Sequence, residues 1–295
     1  MAQVTHCLAD SLSPSTNKDE AMEVSELLQQ THQLPNVPDV VRELIQQLNN
    51  PKADYSVIAD KIIHDQTLSL KILRLVNSAH FGLSRKVTSI NEAIILLGMA
   101  QLKTMVVASG FSGSVKEVEG LDLKRFWAES FEVAALSKWF AEKTTDVDPD
   151  TAFTVGLIHN IGQLLLHLTK PKLAEAIVKL VDETGCSRSE AEMERLNFTT
   201  AEAGQALLKY WQFPASLGEA VRYHKHPLDA PDPNPLSAIV NIACYFNTSI
   251  RQNRPVEEVM TMFPMAAAEV AGLPKDIAES SEDAMQLQSG LDELL

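Results

Sequence analysis

The chain has 295 residues, 45% of them hydrophobic and 22% charged, a balance that supports a folded protein with a sizeable core. A formal net charge of −14 disfavours nucleic acid, because that affinity depends on lysine and arginine replacing condensed counterions. The apolar stretches at 93–97 and 155–158 break far short of the ~20 apolar residues that a membrane-spanning helix needs, and the scattered thiols Cys7, Cys186 and Cys244 do not form a disulfide framework.

Residues 1–20 are rich in Ser, Thr, Asn and Asp, lack an apolar period, and do not have the basic start and apolar core of a secretory signal. They are read as a mobile leader on a cytoplasmic protein. A helix is expected to begin near Ala21, and from Val24 onward helical patterns recur with no period-two run of β-branched residues, so the expected fold is all-α, a multi-helix bundle. After Leu34-Pro35-Asn36-Val37-Pro38, the residues Val40, Val41, Leu44, Ile45 and Leu48 share one stripe, with Pro38 in the first turn. A helix over 55–64 precedes one in which Leu68, Ile72, Leu73, Leu75 and Val76 form the apolar face. Asp65 suits the N-cap of that helix, which gives the His64-Asp65 pair a purely structural explanation. The period breaks at 77–82, where Gly82 permits a turn. Ser89 and Glu92 have capping-box spacing before 93–97, and Gly98 suits the helix end.

Further helices are expected at 123–143, 149–168, 171–184, 187–196, 200–211, 214–223 and 235–251. Residues 21–252 thus read as one helical domain. Residues 253–295 read as an extension of two or three short helices with an acidic tail containing Asp276, Glu279, Glu282, Asp283, Asp292 and Glu293. Met260, Met262 and Met265 are expected to fill core space. Cys186, beside Gly185, has no base near it in sequence to activate it.

The segment 151–168 is apolar almost all round, which implies a helix at the centre of the bundle with His159 and Asn160 inside. Buried polar side chains need partners, so the two belong either to an internal hydrogen-bond network or to a site.

Gly156-Leu157-Ile158-His159-Asn160-Ile161-Gly162-Gln163 resembles the Gly-Leu-Leu-His-Asp-Ile-Gly-Lys signature of HD-superfamily metal-dependent phosphohydrolases, with Asn160 in place of the aspartate. The blocks Leu34-Pro35, Leu70-Lys71-Ile72-Leu73-Arg74-Leu75-Val76-Asn77-Ser78 and Ser89-Ile90-Asn91-Glu92-Ala93-Ile94 are similar to those of the HDOD family, the HD-related output domain of bacterial signalling proteins. A later block, from Ala203-Gly204 through Trp211-Gln212-Phe213-Pro214 to Tyr223-His224-Lys225-His226-Pro227, fits the same family, so the resemblance is clearest over 34–227 and is expected to continue through the helix after Pro235.

The resemblance implies an HD-domain-like bundle in which metal ligands of catalytic relatives correspond to Glu129, to His159 with Asn160, to Thr200, to His224 with Lys225, and to Cys244. His159 and His224 alone keep their ligand type. A neutral Asn160 amide cannot replace a carboxylate bridging divalent cations, so the expectation is a vestigial pocket with no catalytic residue, no metal and no cofactor. If an ion were held, His159, His224 and Glu129 would be its ligands. Glu129 and Lys225 are expected either to form an internal ion pair near His159 or to lie at the surface. The implied function is a non-catalytic signalling domain that binds signalling proteins, with a nucleotide or small anion as a further ligand, and no nucleic acid or membrane. The alternative is a residual phosphohydrolase acting on a nucleotide or cyclic dinucleotide.

Overall fold

The computed structural model describes residues 23–29, 62–63, 66–77, 85–96, 117–211 and 213–287. Among these the chain is helical without a named strand; a single antiparallel bridge joins Val118 to Leu121. The leader, the 40–48 stripe, most of 55–64, His64, Asp65, Gly82, Gly98, Asp292 and Glu293 lie outside the described residues.

In chain order the helices are α1 (Val24–Gln29), α2 (Gln66–Val76), α3 (90–96), α4 (Leu123–Ala141), α5 (Pro149–Ile158), α6 (Ile161–Thr169), α7 (Pro171–Thr184), α8 (Arg188–Leu196), α9 (Thr200–Tyr210), α10 (Ala215–Tyr223), α11 (Pro235–Arg251), α12 (Val256–Thr261) and α13 (Met265–Val270). None is long and apolar enough to cross a membrane.

The centre is built from α4 and α5, each started by an aspartate that accepts a hydrogen bond from the first turn: Asp122 from Arg125 N at 3.0 Å and Asp148 from Thr151 N at 2.8 Å. The two helices pack closely at Gly156, where a Cβ would stand 2.7 Å from Ala134 Cα. Helix α11 lies against α4, joined through the buried rings of Phe140 and Phe246, whose centroids are 5.0 Å apart, and Phe263 packs on both. Helices α6 and α9 meet at a second close approach: a Cβ on Gly162 would stand 1.9 Å from Thr200 O and 2.6 Å from Gly204 N.

Local sequence accounts for the borders. Ser187 with Glu190 and Thr199 with Glu202 form full capping boxes for α8 and α9, while Gly185 and Asn197 end α7 and α8 with positive φ. The Ser89 box is altered: Glu92 N donates to Ser89 Oγ at 3.2 Å, but the Glu92 carboxylate accepts from Thr88 N. Asn77 stops α2 and fastens the following segment, with Nδ2 donating to Leu73 O and Val87 O and Oδ1 accepting from Val87 N at 2.7 Å.

Two expectations need correction. The predicted single helix over 149–168 is two helices, because the chain turns at His159 and Asn160 before α6 begins. Asn160, with φ −103° and ψ 14°, leaves the helical region between the two glycine contacts that fix α5 on α4 and α6 on α9. The methionine trio does not fill the core as a group: Met260 packs on it, but Met262 and Met265 are 62% and 44% exposed.

Candidate functional site

The break between α5 and α6 opens into a cavity of about 500 Å³ lined by all seven residues singled out in the sequence: Glu129, His159, Asn160, Thr200, His224, Lys225 and Cys244. Five separate helices or helix ends contribute them, so residues up to 115 positions apart in the chain face one space.

His159 ends α5 and His224 ends α10, and their rings meet edge to face at 5.2 Å. Each donates its Nδ1 proton to the carbonyl three residues earlier, His159 to Gly156 O and His224 to Val221 O, both at 2.6 Å. A carbonyl can only accept, so both rings carry the proton on Nδ1 and present a bare Nε2. Burial, the neighbouring Lys225 charge and, for His224, the other imidazole resist protonation: His159 is lowered to about 4, with Glu129 and the Gly156 carbonyl opposing the shift, and His224 falls well below the ordinary histidine value. Both are neutral at pH 7. Asn241 braces the turn after α10 by donating from Nδ2 to His224 O at 2.8 Å and to Lys225 O at 3.2 Å.

Asn160 stands where the resemblance places a carboxylate, and its Oδ1 is 3.2 Å from Ser130 Oγ. Ser130 also lies 2.8 Å from Phe126 O, so its single proton serves one acceptor at a time. A neutral amide suits this corner, since it can turn its own N–H toward the hydroxyl.

Lys225 does not pair with Glu129. Its Nζ is 3.7 Å from Glu192 Oε2, while Glu129 is held by Arg125 at 2.9 Å and Arg251 at 3.3 Å. Arg251 has two anchors because it also meets Glu132 at 2.9 Å, which places two carboxylates on the α4 side and draws the guanidinium there. Glu192 was not anticipated from the sequence. Its side chain is 0% exposed, and its carboxylate accepts from Arg188 Nε at 2.8 Å, Thr200 N at 2.8 Å and Thr200 Oγ1 at 2.7 Å in addition to the lysine. Burial lowers the Lys225 pKa, and the Glu192 charge opposes that shift. Arg188 Nη2 is buried without a hydrogen-bond partner and Arg254 lines the same cavity. The available signal for Glu192 is its position four residues after Arg188, four before the buried Leu196 and eight before Thr200. The Ser187 spacing marks Glu190 as a capping residue, but no pattern marks which of Glu192 and Glu194 turns inward.

Cys244 completes the floor. Burial pushes its thiol up to about 12, with Lys225 opposing the shift. Together with one ring nitrogen each from His159 and His224, its sulfur forms a group whose atoms all lie within 4.8 Å of one another. Glu129, expected as the third ligand, is not a member of that group. The cavity therefore has two chemically distinct sides, a neutral nitrogen and sulfur floor and a flank of cations around a buried carboxylate.

Comparison with known proteins agrees with the fold. The model of the HDOD domain matches residues 34–227. A crystal structure from Shewanella amazonensis SB2B, provisionally described as a phosphohydrolase, is 31% identical and superimposes with a TM-score of 0.77 over 91% of this chain and 96% of that one. An HDOD domain protein of unknown function from Geobacter sulfurreducens is 25% identical, also with a TM-score of 0.77, over 92% of this chain and 97% of that one. Among curated proteins, an uncharacterised one from Treponema pallidum (strain Nichols) is 24% identical over 220 residues. That match covers 74% of this chain and 42% of the relative, so the chain spans less than half of the longer protein it matches.

Proposed function

The chain belongs to the HDOD family, and from that premise we propose that it is a non-catalytic regulatory domain of bacterial signal transduction. It acts by binding signalling proteins, with a nucleotide or similar small anion as the ligand of its cavity.

The observation that carries this reading is the Glu192 network. Thr200 and Lys225 stand at two positions to which the family resemblance assigns metal ligands, and both are committed to a buried carboxylate from α8. At a third, Asn160 offers a neutral amide to Ser130. Dinuclear hydrolysis needs anionic oxygens that hold and bridge two cations, which in turn would clamp the attacking and leaving oxygens, and these residues supply no anionic oxygen at those positions. The cations do suit an anion: Arg188 Nη2 has no partner, and Lys225 and Arg254 lie on the same cavity.

Binding and turnover separate in one experiment. The full chain is screened for thermal stabilisation by a panel of nucleotides and cyclic dinucleotides, and the same samples are analysed for hydrolysis products. A ligand specific for the native state raises the melting temperature by mass action. Stabilisation without products is the expected result, and a flat profile would leave protein partners alone as ligands. Turnover abolished by His159→Ala would overturn the reading.

A further inference from the structure

The nitrogen and sulfur floor of the cavity has no part in the anion-binding reading, yet its three donor groups stand close enough together to gather around one ion. His159, His224 and Cys244 come from the end of α5, the end of α10 and the middle of α11, and their donor atoms gather within 4.8 Å. Three elements distant in sequence thus converge on one point. Both imidazoles also make the backbone hydrogen bond that metal-bound histidines make: each Nδ1–H is tied to a carbonyl at 2.6 Å, which fixes the ring and leaves Nε2 as the lone-pair nitrogen. The Asn241 bonds to His224 O and Lys225 O hold the turn that carries one of them.

The identity of the donors decides which ion would fit. Magnesium, calcium and manganese favour oxygen, and the superfamily's hydrolytic chemistry depends on carboxylates that this chain lacks at Asn160 and Cys244. One thiolate with two imidazoles is a donor set for zinc and ions of similar softness. The neighbouring charges act in both directions. The Lys225 ammonium opposes a cation, but it is drawn to Glu192 at 3.7 Å, and Glu129, although paired with Arg125 and Arg251, still favours positive charge at His159.

We propose that His159, His224 and Cys244 form a mononuclear site for a zinc-class divalent cation, with water from the cavity as the remaining ligand. On binding, the Cys244 thiol proton passes to solvent and the sulfur binds as thiolate, with no change of oxidation state. The ion would tie α5, α10 and α11 together at the point where the cavity opens, and so couple the ligand pocket to the stability of the bundle. This inference goes beyond the regulatory reading and does not rest on it.

The test uses the full chain, stripped with a chelator and titrated with Co²⁺ and Zn²⁺. One Co²⁺ per chain should bind, with the sulfur-to-cobalt charge-transfer absorption and the strong visible bands of a four-coordinate site, and Zn²⁺ should displace it. Cys244→Ser should abolish the charge-transfer band and weaken Zn²⁺ binding by more than ~100-fold, beyond the loss usual for an outer-shell partner. Cys186→Ser should leave both unchanged. Lys225→Met, which removes the opposing charge, should tighten Zn²⁺ binding several-fold. Circular dichroism verifies that Cys244→Ser is folded, and Cys244→Asp provides a second variant that should bind Co²⁺ without the sulfur band. Failure of the parent chain to bind either ion, or a sulfur band that survives in Cys244→Ser, would overturn the proposal. Because the readout is absorption and affinity, that failure leaves the non-catalytic reading intact, whereas phosphodiester turnover would defeat that reading and leave the ion site standing.

Discussion

Replacing Glu192 should have an effect out of proportion to a single surface-type residue on a short charged helix. In Glu192→Gln the carboxylate that serves Arg188, Lys225 and two Thr200 donors becomes neutral, leaving two cations without a counter-ion. Removing one partner of a buried pair costs roughly 3–5 kcal/mol. The cations are partly solvated, Arg188 at 26% and Lys225 at 29% exposure, and the glutamine oxygen still accepts one Thr200 bond, so the expected loss is about 2–3 kcal/mol. For a chain of 295 residues that corresponds to a drop of roughly 3–5 °C in Tm. Lys225→Met should behave differently, because Glu192 keeps Arg188 and both Thr200 bonds while a partly buried ammonium is removed; a change below about 1 kcal/mol is expected. Urea denaturation of the parent, both single variants and the double variant gives the coupling directly. A Glu192→Gln midpoint within about 0.5 kcal/mol of the parent, or a larger loss from Lys225→Met, would refute the assignment of Glu192 as the hub of the cavity wall.

The buried imidazoles predict an acid-sensitive window. With His159 held at about 4 against an ordinary 6.5, the unfolded chain binds the extra proton between those values, so stability is full above about 6.5 and falls as pH drops toward 4; equilibrium denaturation across pH should show this slope, and His159→Gln should make it shallower. The close approach of α6 to α9 predicts that Gly162→Ala loses about 3 kcal/mol or more, since its Cβ would press on the backbone of Thr200 and Gly204. Gly185→Ala provides the contrast: nothing lies within 4 Å of its Cβ, and only the φ of 70° is strained, for about 1 kcal/mol by the same denaturation measurement.

The helices from residue 123 onward were readable because capping residues and apolar periods coincide there: Pro171–Thr184 and Pro235–Arg251 have the expected bounds, and Ser187 and Thr199 sit at caps. The break at His159 was hidden because 151–168 is apolar on every side, so periodicity carries no sign of a turn; the cause is the pair of backbone contacts at Gly156 and Gly162, which are properties of other helices. The cavity residues were legible one by one through the family motif, and all seven line one space. Their pairing was not. Which acid reaches Lys225 depends on the azimuth of α8 against α9: the spacing from Ser187 marks Glu190 as a capping residue, but nothing separates Glu192 from Glu194. The same holds for Cys244, which the motif presents as a lost aspartate and the packing presents as a neighbour of both histidines.

The most direct test of the account is phosphodiester hydrolysis by the full chain supplied with Mn²⁺ or Mg²⁺ at saturating concentration. A cavity in which Asn160, Thr200 and Lys225 have replaced the oxygen and nitrogen donors of a dinuclear centre predicts a rate equal to the background and unchanged by His159→Ala. Metal-dependent turnover that disappears in His159→Ala would contradict it.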